Sequence, residues 1–346
     1  MKVNGINIGQ RYKPFIIAEL SANHGGSLAR AKESILKASS TGVSAIKIQT
    51  YTPDTMTIKS EKPDFYIKQG LWKGKSLHDL YSEAYTPFEW HEELFDYAKK
   101  LGITLFSTPF DESAVDLLES LNTPAYKIAS FEMIDLPLIE YIAKKNKPIF
   151  MSTGMASLDE IHDAVKVIKK YNNTDLLIFH CISAYPAPTE ESNLSNIKFL
   201  KDEFNVLIGL SDHTINNIAA ITSIGLGAVA IEKHFKLNDE EDSADSKFSL
   251  NIKQLTNLVS ECNQAWLAKG KSGKFNRSKD EEQNIIFRRS LYFVKNLKEG
   301  HIITSDDVRR IRPGYGIAPK YFNAIVGKRI KNSVEIGDPV KWDDIL

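Results

Sequence analysis

Between residues 15 and 268 the chain repeats one pattern, a short β-branched or apolar run followed by a longer stretch of helical period. Short apolar runs of this kind read as buried strands, and apolar residues spaced at i, i+3, i+4, i+7 read as amphipathic helix. The runs are Phe15–Leu20, Ala45–Thr50, Thr104–Phe110, Ala125–Ser130, Pro148–Thr153, Leu176–Cys181, Val206–Asp212 and Ala228–Phe235, eight in all. A candidate helix follows each, most clearly at Pro87–Leu101, Leu158–Tyr171 and Ile252–Ala268. Capping-box signatures open two of them, Thr86 with Glu89 and Ser157 with Glu160. Eight consecutive βα units predict an α/β fold closed into a (β/α)8 TIM barrel. A doubly wound open sheet is the competing arrangement. It calls for fewer strands and a glycine-rich turn after the first, which this sequence lacks.

The flanking segments differ in character. KVNGINI, with Asn4-Gly5 between apolar residues, predicts a small hairpin that plugs the bottom of the barrel. Tyr51–Tyr85 is long for a βα loop, and long loops at the top of a barrel are where sites are built. Residues 269–284 (KGKSGKFNRSKDEEQN) read as a linker. Beyond it, 285–346 has short strands and turns, with one helical patch near Ser305–Val308. That unit is too small to bury much surface alone and is expected to dock on its own barrel or a partner's. The expected organisation is therefore 1–268 barrel, 269–284 linker and 285–346 small, mostly-β domain.

Charge narrows the function class. Lys plus Arg total 44 and Asp plus Glu total 44, so no overall positive field exists to hold nucleic acid or an anionic membrane. The first twenty residues lack a signal-peptide core, and no apolar run reaches the roughly 18–20 residues that span a bilayer. Cys181 and Cys262 read as buried free thiols in a reducing compartment, so a cytoplasmic location is expected.

Active sites of such barrels form where strand C-termini converge, and residues two apart on a strand share a face. Here those termini are polar almost throughout. They supply Glu19, Ser21, Asn23 and His24 from the first strand, Lys47 and Gln49 from the second, and Ser107 and Thr108 from the third. Lys127, Ser130 and Glu132 follow from the fourth, Ser152 and Thr153 from the fifth, and His180, Ser183 and Tyr185 from the sixth. The seventh gives Ser211, Asp212 and His213, and the eighth Glu232 and His234. Two lysines among hydroxyls suit a multiply charged anion such as phosphate. The simpler alternative is that each lysine pairs with a glutamate across the barrel. His213 and His234 could hold a divalent metal, or one could be catalytic and the other a core residue. His180 reads as a satisfied core histidine. His78, His91, His162 and His301 read as surface residues. The acidic run Asp239–Asp245 reads as a solvated loop, with Asp245 the member most able to bend back to the site.

AELSANHGG, AIKIQT, FSTPF, YKIAS, MSTGM, GLSDHT and IEKHF occur in this order, and as a set they resemble the N-acetylneuraminate-synthase family of nonulosonic acid synthases. RRSLYFVKNLKEG and RPGYGIAP resemble that family's antifreeze-like (SAF) domain. The resemblance implies a transferase that condenses phosphoenolpyruvate (PEP) with the open-chain aldehyde of an N-acetylated amino sugar and releases phosphate. It implies a divalent metal cofactor, Mn²⁺ foremost, with Mg²⁺ or Co²⁺ as alternatives. It also implies a domain-swapped homodimer in which each SAF domain covers the partner's barrel. Carried over, His213 and His234 match metal ligands. Lys47, Lys127, Ser130, Ser152, Thr153, Ser211 and Thr108 match the PEP site, and Glu19 is a candidate acid/base. Gln49, Glu132, Ser183, Tyr185, Glu232 and Asp245 match the sugar pocket, and Arg312 matches an SAF arginine that reaches the sugar's N-acetyl group. Ser183 and Tyr315 stand where sialic acid synthases carry asparagine. With the insertion ending LYSEAYTPFEWH, this resembles the branch that makes pseudaminic acid from a 2,4-diacetamido-trideoxy-altrose; N-acetylneuraminate or legionaminate synthesis is the alternative. A metal-dependent pyruvate aldolase and a non-catalytic sugar-binding protein are the readings from other classes.

Overall fold

The computed structural model describes residues 1–239, 243–270 and 277–346. The chain divides into two compact units, Met1–Gly270 and Lys271–Leu346.

In the first unit, a hairpin of β1 (Lys2–Val3) and β2 (Ile6–Asn7) precedes eight parallel strands. These are β3 (Phe15–Glu19), β4 (Ala45–Thr50), β5 (Thr104–Pro109), β6 (Tyr126–Ile128), β7 (Ile149–Ser152), β8 (Leu176–Cys181), β9 (Leu207–Asp212) and β10 (Ala230–His234). They close in the order β10-β3-β4-β5-β6-β7-β8-β9, so the expected barrel forms and the open sheet does not. Strand alternation sorts the core into two shells. Outward residues such as Ile16, Ile46, Ile128, Met151 and Ile178 pack under the helices. Inward residues Phe15, Ile17, Phe106, Phe150 and Phe179 fill the lower lumen together with Val3 and Ile8 from the hairpin region, which plugs that end as the Asn-Gly turn predicts. Phe150 stacks on Phe106, Phe179 and Phe15 at centroid distances of 5.3, 5.8 and 5.9 Å. Each such buried ring contributes about 1.5–3 kcal/mol by leaving water. Gly209 makes room for this layer, since a Cβ there would lie 2.5 Å from the Phe179 ring.

Ser157 and Glu160 form the expected capping box on Leu158–Lys170. The one expected at Thr86 does not form. The helix starts at Phe88 with Pro87 as its N-cap, and Thr86 Oγ1 instead lies 3.3 Å from His24 Nε2.

The second unit has its own core around Leu291, Phe293, Ile303, Val308, Ile325 and Val340. Its strands β11 (Ser290–Phe293) and β12 (Val308–Ile311) pair antiparallel. The helical patch expected near Ser305–Val308 is instead a turn entering β12, where Asp307 accepts from Thr304 and Lys295. The unit has helical turns at Asn284–Phe287, Pro319–Tyr321, Phe322–Ile325 and Trp342–Asp344. Within the stretch read as linker, Lys279–Gln283 is a helix capped by Ser278 and Glu281. Residues 271–276 of that stretch lie outside the described residues.

Candidate active site

The lumen changes character two residues above the aromatic floor. Ile17 is followed on its face by Glu19, Ala45 by Lys47, Phe106 by Thr108, Ala125 by Lys127, Phe150 by Ser152, Gly209 by Ser211 and Ala230 by Glu232. Lys47, Lys127, Glu19 and Glu232 are each at most 4% exposed. Charges this deep must be paired. Lys47 Nζ lies 2.8 Å from Glu19 Oε2 and 3.8 Å from Glu232 Oε2, and donates to Thr108 Oγ1 at 3.0 Å. Lys127 Nζ donates to Glu232 Oε1 at 2.8 Å, and Ser211 Oγ donates to the same oxygen at 3.1 Å. Gln49 Nε2 donates to Glu19 at 3.3 Å. Of the cross-barrel pairing weighed as an alternative, Lys127–Glu232 is present, whereas Lys47 pairs with Glu19 on the adjacent strand, and the lysines and glutamates form one network.

The two carboxyls of that network are held apart in acidity. Burial pushes Glu19 up to about 7, and Lys47 only partly offsets this. Burial also acts on Glu232, but Lys127 and Lys47 outweigh it and hold the carboxyl far below its ordinary value. Groups whose environments separate their pKa values in this way are suited to distinct acid and base roles.

A second cluster stands beside the first. The His213 and His234 rings are 5.5 Å apart. His213 Nδ1 donates to the Ile182 carbonyl at 2.9 Å, so in the neutral ring the lone pair lies on Nε2. His234 Nδ1 is buried with no hydrogen-bond partner among the described residues, and Asp245 Oδ2 is 3.6 Å away. Asp245 is pinned by the Ala22 amide at 3.3 Å. Asn23 ties the same loop to the residue after β10 by donating to Phe235 O and Ser249 Oγ. Among the described residues no group of three His, Cys, Asp or Glu side chains forms a ready metal cage, so any cation here would rest on the two imidazoles with open positions.

Aromatic rings wall this cluster. Tyr185 packs on His213 at 4.5 Å, Phe248 on His234 at 4.9 Å, and Trp72 on Tyr185 at 5.9 Å. Trp72 comes from the long Tyr51–Tyr85 insertion, and its Nε1 donates to Ala244 O at 3.0 Å. Sequence reasoning missed Phe248 and Trp72. The KFSL that follows Asp245 and the length of the insertion were the available signals.

The remaining hydroxyls divide. Ser152 Oγ is buried without a partner among the described residues. Ser130 Oγ accepts from Gly154 N at 3.0 Å, and a Cβ at Gly154 would fall 2.0 Å from Ser183 Oγ, so glycine is what lets these serines converge. Thr153 departs from expectation, because its hydroxyl donates to Phe179 O at 3.1 Å and so faces the neighbouring strand. Cys181, read only as a core thiol, faces the lumen 3.9 Å from His213 Nδ1; both cysteines are buried and free.

The other histidines mostly follow the reading. His180 is a core residue bonded to Ser192 O at 2.7 Å. His91 is a correction, since it is fully buried and bonded to Thr50 Oγ1 at 2.8 Å. It shares the inward helix face of Leu94 and Ala98. Of the acidic run, Asp245 is buried beside His234, whereas 240–242 lie outside the described residues. Arg312 lies exposed in the loop after β12.

Glu132, in the turn Phe131–Ile134 after β6, is pushed up to about 7 by burial, and its Oε2 lacks a partner among the described residues. The folded chain therefore holds this proton more tightly than the unfolded one. Stability from this group is fully present below about pH 4.5 and is lost as pH rises through about 7. Glu132→Gln should accordingly melt higher than the parent at pH 8, with the gap closing by pH 4.5. Melting curves across that range check it.

A cavity of about 500 Å³ lies at the opposite end of the barrel, lined by Asn4, Phe95, Lys99 and Asn122, and none of these site residues reaches it. The chemistry belongs at the C-terminal face, where a closed (β/α)8 barrel with a dry aromatic floor carries a lysine–glutamate network and two open imidazoles. Such an arrangement is that of a barrel enzyme whose site lies among the strand C-termini. The chain belongs to the NeuB family, which matches residues 34–274, and residues 288–346 match the SAF domain. It is 43% identical to the pseudaminic acid synthase of Campylobacter jejuni over 99% of both chains. It is 33% identical to the N,N'-diacetyllegionaminic acid synthase of Legionella pneumophila over 99% of this chain and 98% of that one. The N-acetylneuraminic acid synthetase of Leptospira borgpetersenii, solved with citrate, superposes with a TM-score of 0.74 at 29% identity, covering 82% of this chain and 94% of that one. The family is one of synthases, and this chain is an enzyme of it.

Proposed function

We propose that this enzyme condenses PEP with 2,4-diacetamido-2,4,6-trideoxy-altrose and water to give pseudaminic acid and phosphate. The observation that carries the reading is the buried lysine–glutamate network beside two open imidazoles, above a floor that excludes water. Lys47 and Lys127, with Ser152, Ser211, Ser130 and Thr108, hold the phosphate and carboxylate of PEP. C3 of PEP forms a bond to the aldehyde carbon, whose oxygen takes up a proton. Water adds at C2 and yields a proton to Glu19, whose raised pKa suits that exchange near neutral pH. The C2–oxygen bond to phosphate then breaks with its electron pair leaving on phosphate, while the C2 hydroxyl gives its proton to the departing phosphate and becomes the ketone; the proton that Glu19 took from water balances the one taken up by the aldehyde oxygen.

The donor set fits a divalent cation, because His234 Nδ1 is buried without a partner among the described residues and the neutral His213 ring, donating through Nδ1, carries its lone pair on Nε2. A cation held by His213 and His234, Mn²⁺ foremost, supplies Lewis-acid polarisation of the aldehyde oxygen when bound. Gln49, Glu132, Ser183, Tyr185, Glu232 and Asp245 line the sugar side. The Trp72, Tyr185 and Phe248 rings favour a deoxy sugar, since a hydroxyl buried against them would lack a partner. The 43% identity to a pseudaminic acid synthase, against 33% to a legionaminic one, supports the same branch. Phosphate release from PEP and Mn²⁺ with each candidate sugar tests this. Release with the diacetamido-altrose is expected. Release only with N-acetylmannosamine or the legionaminate precursor would move the chain to that branch, and no release with any of these sugars would sink the synthase reading.

We further place the enzyme in the cytoplasm as a domain-swapped dimer whose Arg312 serves the partner's barrel. Mixing and reassembling His234→Ala and Arg312→Ala chains, each inactive alone, should restore activity to about a quarter of the sites, those pairing an intact barrel with an intact lid. No recovery after proven subunit exchange would refute the swap.

A further inference from the structure

The strand that carries Glu232 and His234 into the lumen also carries a lysine between them on its opposite face. Lys233 is 0% exposed. Its ammonium donates to Asp212 Oδ2 at 2.6 Å, to Thr214 O at 2.7 Å and to Asn216 O at 2.9 Å. An ammonium has three protons, and all three are used. Lys233 therefore has no proton left for substrate and faces away from the lumen.

A buried ion pair is weak evidence for stability, since an apolar pair of similar volume often does as well. The arrangement of its partners offers another role. Asp212 and Thr214 are the residues on either side of His213, and Lys233 is the residue before His234. Lys233 and Asp212 are also register partners across β10 and β9. The loop is wound around the ammonium by its own bonds as well, with Thr214 N donating to Asp212 Oδ1 at 2.9 Å and Thr214 Oγ1 donating to Asn216 O at 3.0 Å. One side chain thus clips the segment bearing one imidazole to the strand bearing the other.

We infer that Lys233, acting with Asp212, is a positioning residue that sets the spacing of the two imidazoles and keeps His213 Nδ1–H on the Ile182 carbonyl, leaving Nε2 aimed into the site. The metal arm of the test below rests on the metal reading given above; the tautomer arm does not.

The test uses the full chain with ¹⁵N-labelled histidine and no added metal. The parent protein should show His213 as a single Nδ1–H tautomer in long-range ¹H–¹⁵N spectra. Lys233→Met should convert His213 to a mixture of tautomers while His180 and His91, on unrelated partners, keep theirs. Lys233→Met leaves Asp212 buried and unpaired; should that variant unfold, the paired Asp212→Asn/Lys233→Met protein, which buries no lone charge, decides. Mn²⁺ affinity, read from the free-ion EPR signal, should fall about 10–100-fold in the same variants. Folded variants that keep the single His213 tautomer overturn the inference. If the parent binds no Mn²⁺, the metal reading falls and the tautomer result alone settles the role of Lys233.

Discussion

Lys127→Met should lower kcat/KM for PEP by about 10³-fold, because truncating one member of a buried charged set costs about 2–5 kcal/mol and here removes a cation from beneath a multiply charged substrate. The same change should weaken the fold. Glu232 would lose its 2.8 Å partner and keep only Ser211 at 3.1 Å and Lys47 at 3.8 Å, the latter already engaged with Glu19. Leaving a buried carboxylate in that state costs about 3–5 kcal/mol. Its pH dependence follows from the depressed acidity of Glu232. A carboxyl with a lowered folded pKa contributes stability above its unfolded value near 4.5 and loses it as pH falls toward the folded one. The stability gap between parent and variant should therefore be widest above pH 5 and close in acid. Lys127→Met/Glu232→Gln separates the two effects, since it should recover most of the stability and none of the activity. A Lys127→Met enzyme with unchanged KM for PEP would remove that lysine from the anion site.

The network behind this prediction shows what could be read in advance. Alternation on each strand places Lys47, Lys127, Glu19 and Glu232 on the lumen face, because a period of two is a local property. Which of them meet is not local. Lys127 and Glu232 are 105 residues apart, and barrel closure decides their pairing. The same limit explains Lys233, whose outward position follows from the alternation but whose acceptors depend on how the loop after β9 folds back. His91 is legible in the sequence, since its spacing to Leu94 and Ala98 marks the buried face even though its polarity suggests the surface. Thr86 shows the reverse. Its sequence satisfies a capping box, yet the buried His24 ring lies within hydrogen-bond distance and the helix starts one residue later. Tertiary context overrides the local signal at Thr86, whereas at His91 the local period agrees with the fold.

His234→Ala should abolish turnover, by at least about 10³-fold if the imidazole helps to hold a Lewis acid worth several kcal/mol at the aldehyde oxygen. It should do so without unfolding the barrel. His234 Nδ1 has no hydrogen-bond partner among the described residues, so the substitution removes a buried polar atom that folding leaves unsatisfied. Asp245, its neighbour at 3.6 Å, keeps the Ala22 amide. The lost packing is with Phe248 and His213, ring contacts at 4.9 and 5.5 Å. Gain and loss therefore oppose one another, and the melting temperature should stay within a few degrees of the parent. His180→Ala gives the opposite profile. His180 is bonded to the Ser192 carbonyl at 2.7 Å on the outer side of β8, so its removal strands a buried acceptor and should lower stability by about 1–3 kcal/mol. Its kcat should stay near the parent's. Two histidines from the same end of one barrel would then be told apart by which measurement each one moves. A His234→Ala enzyme with full activity would remove His234 from the metal site and leave the aldehyde oxygen to be polarised by the lysine–glutamate network alone.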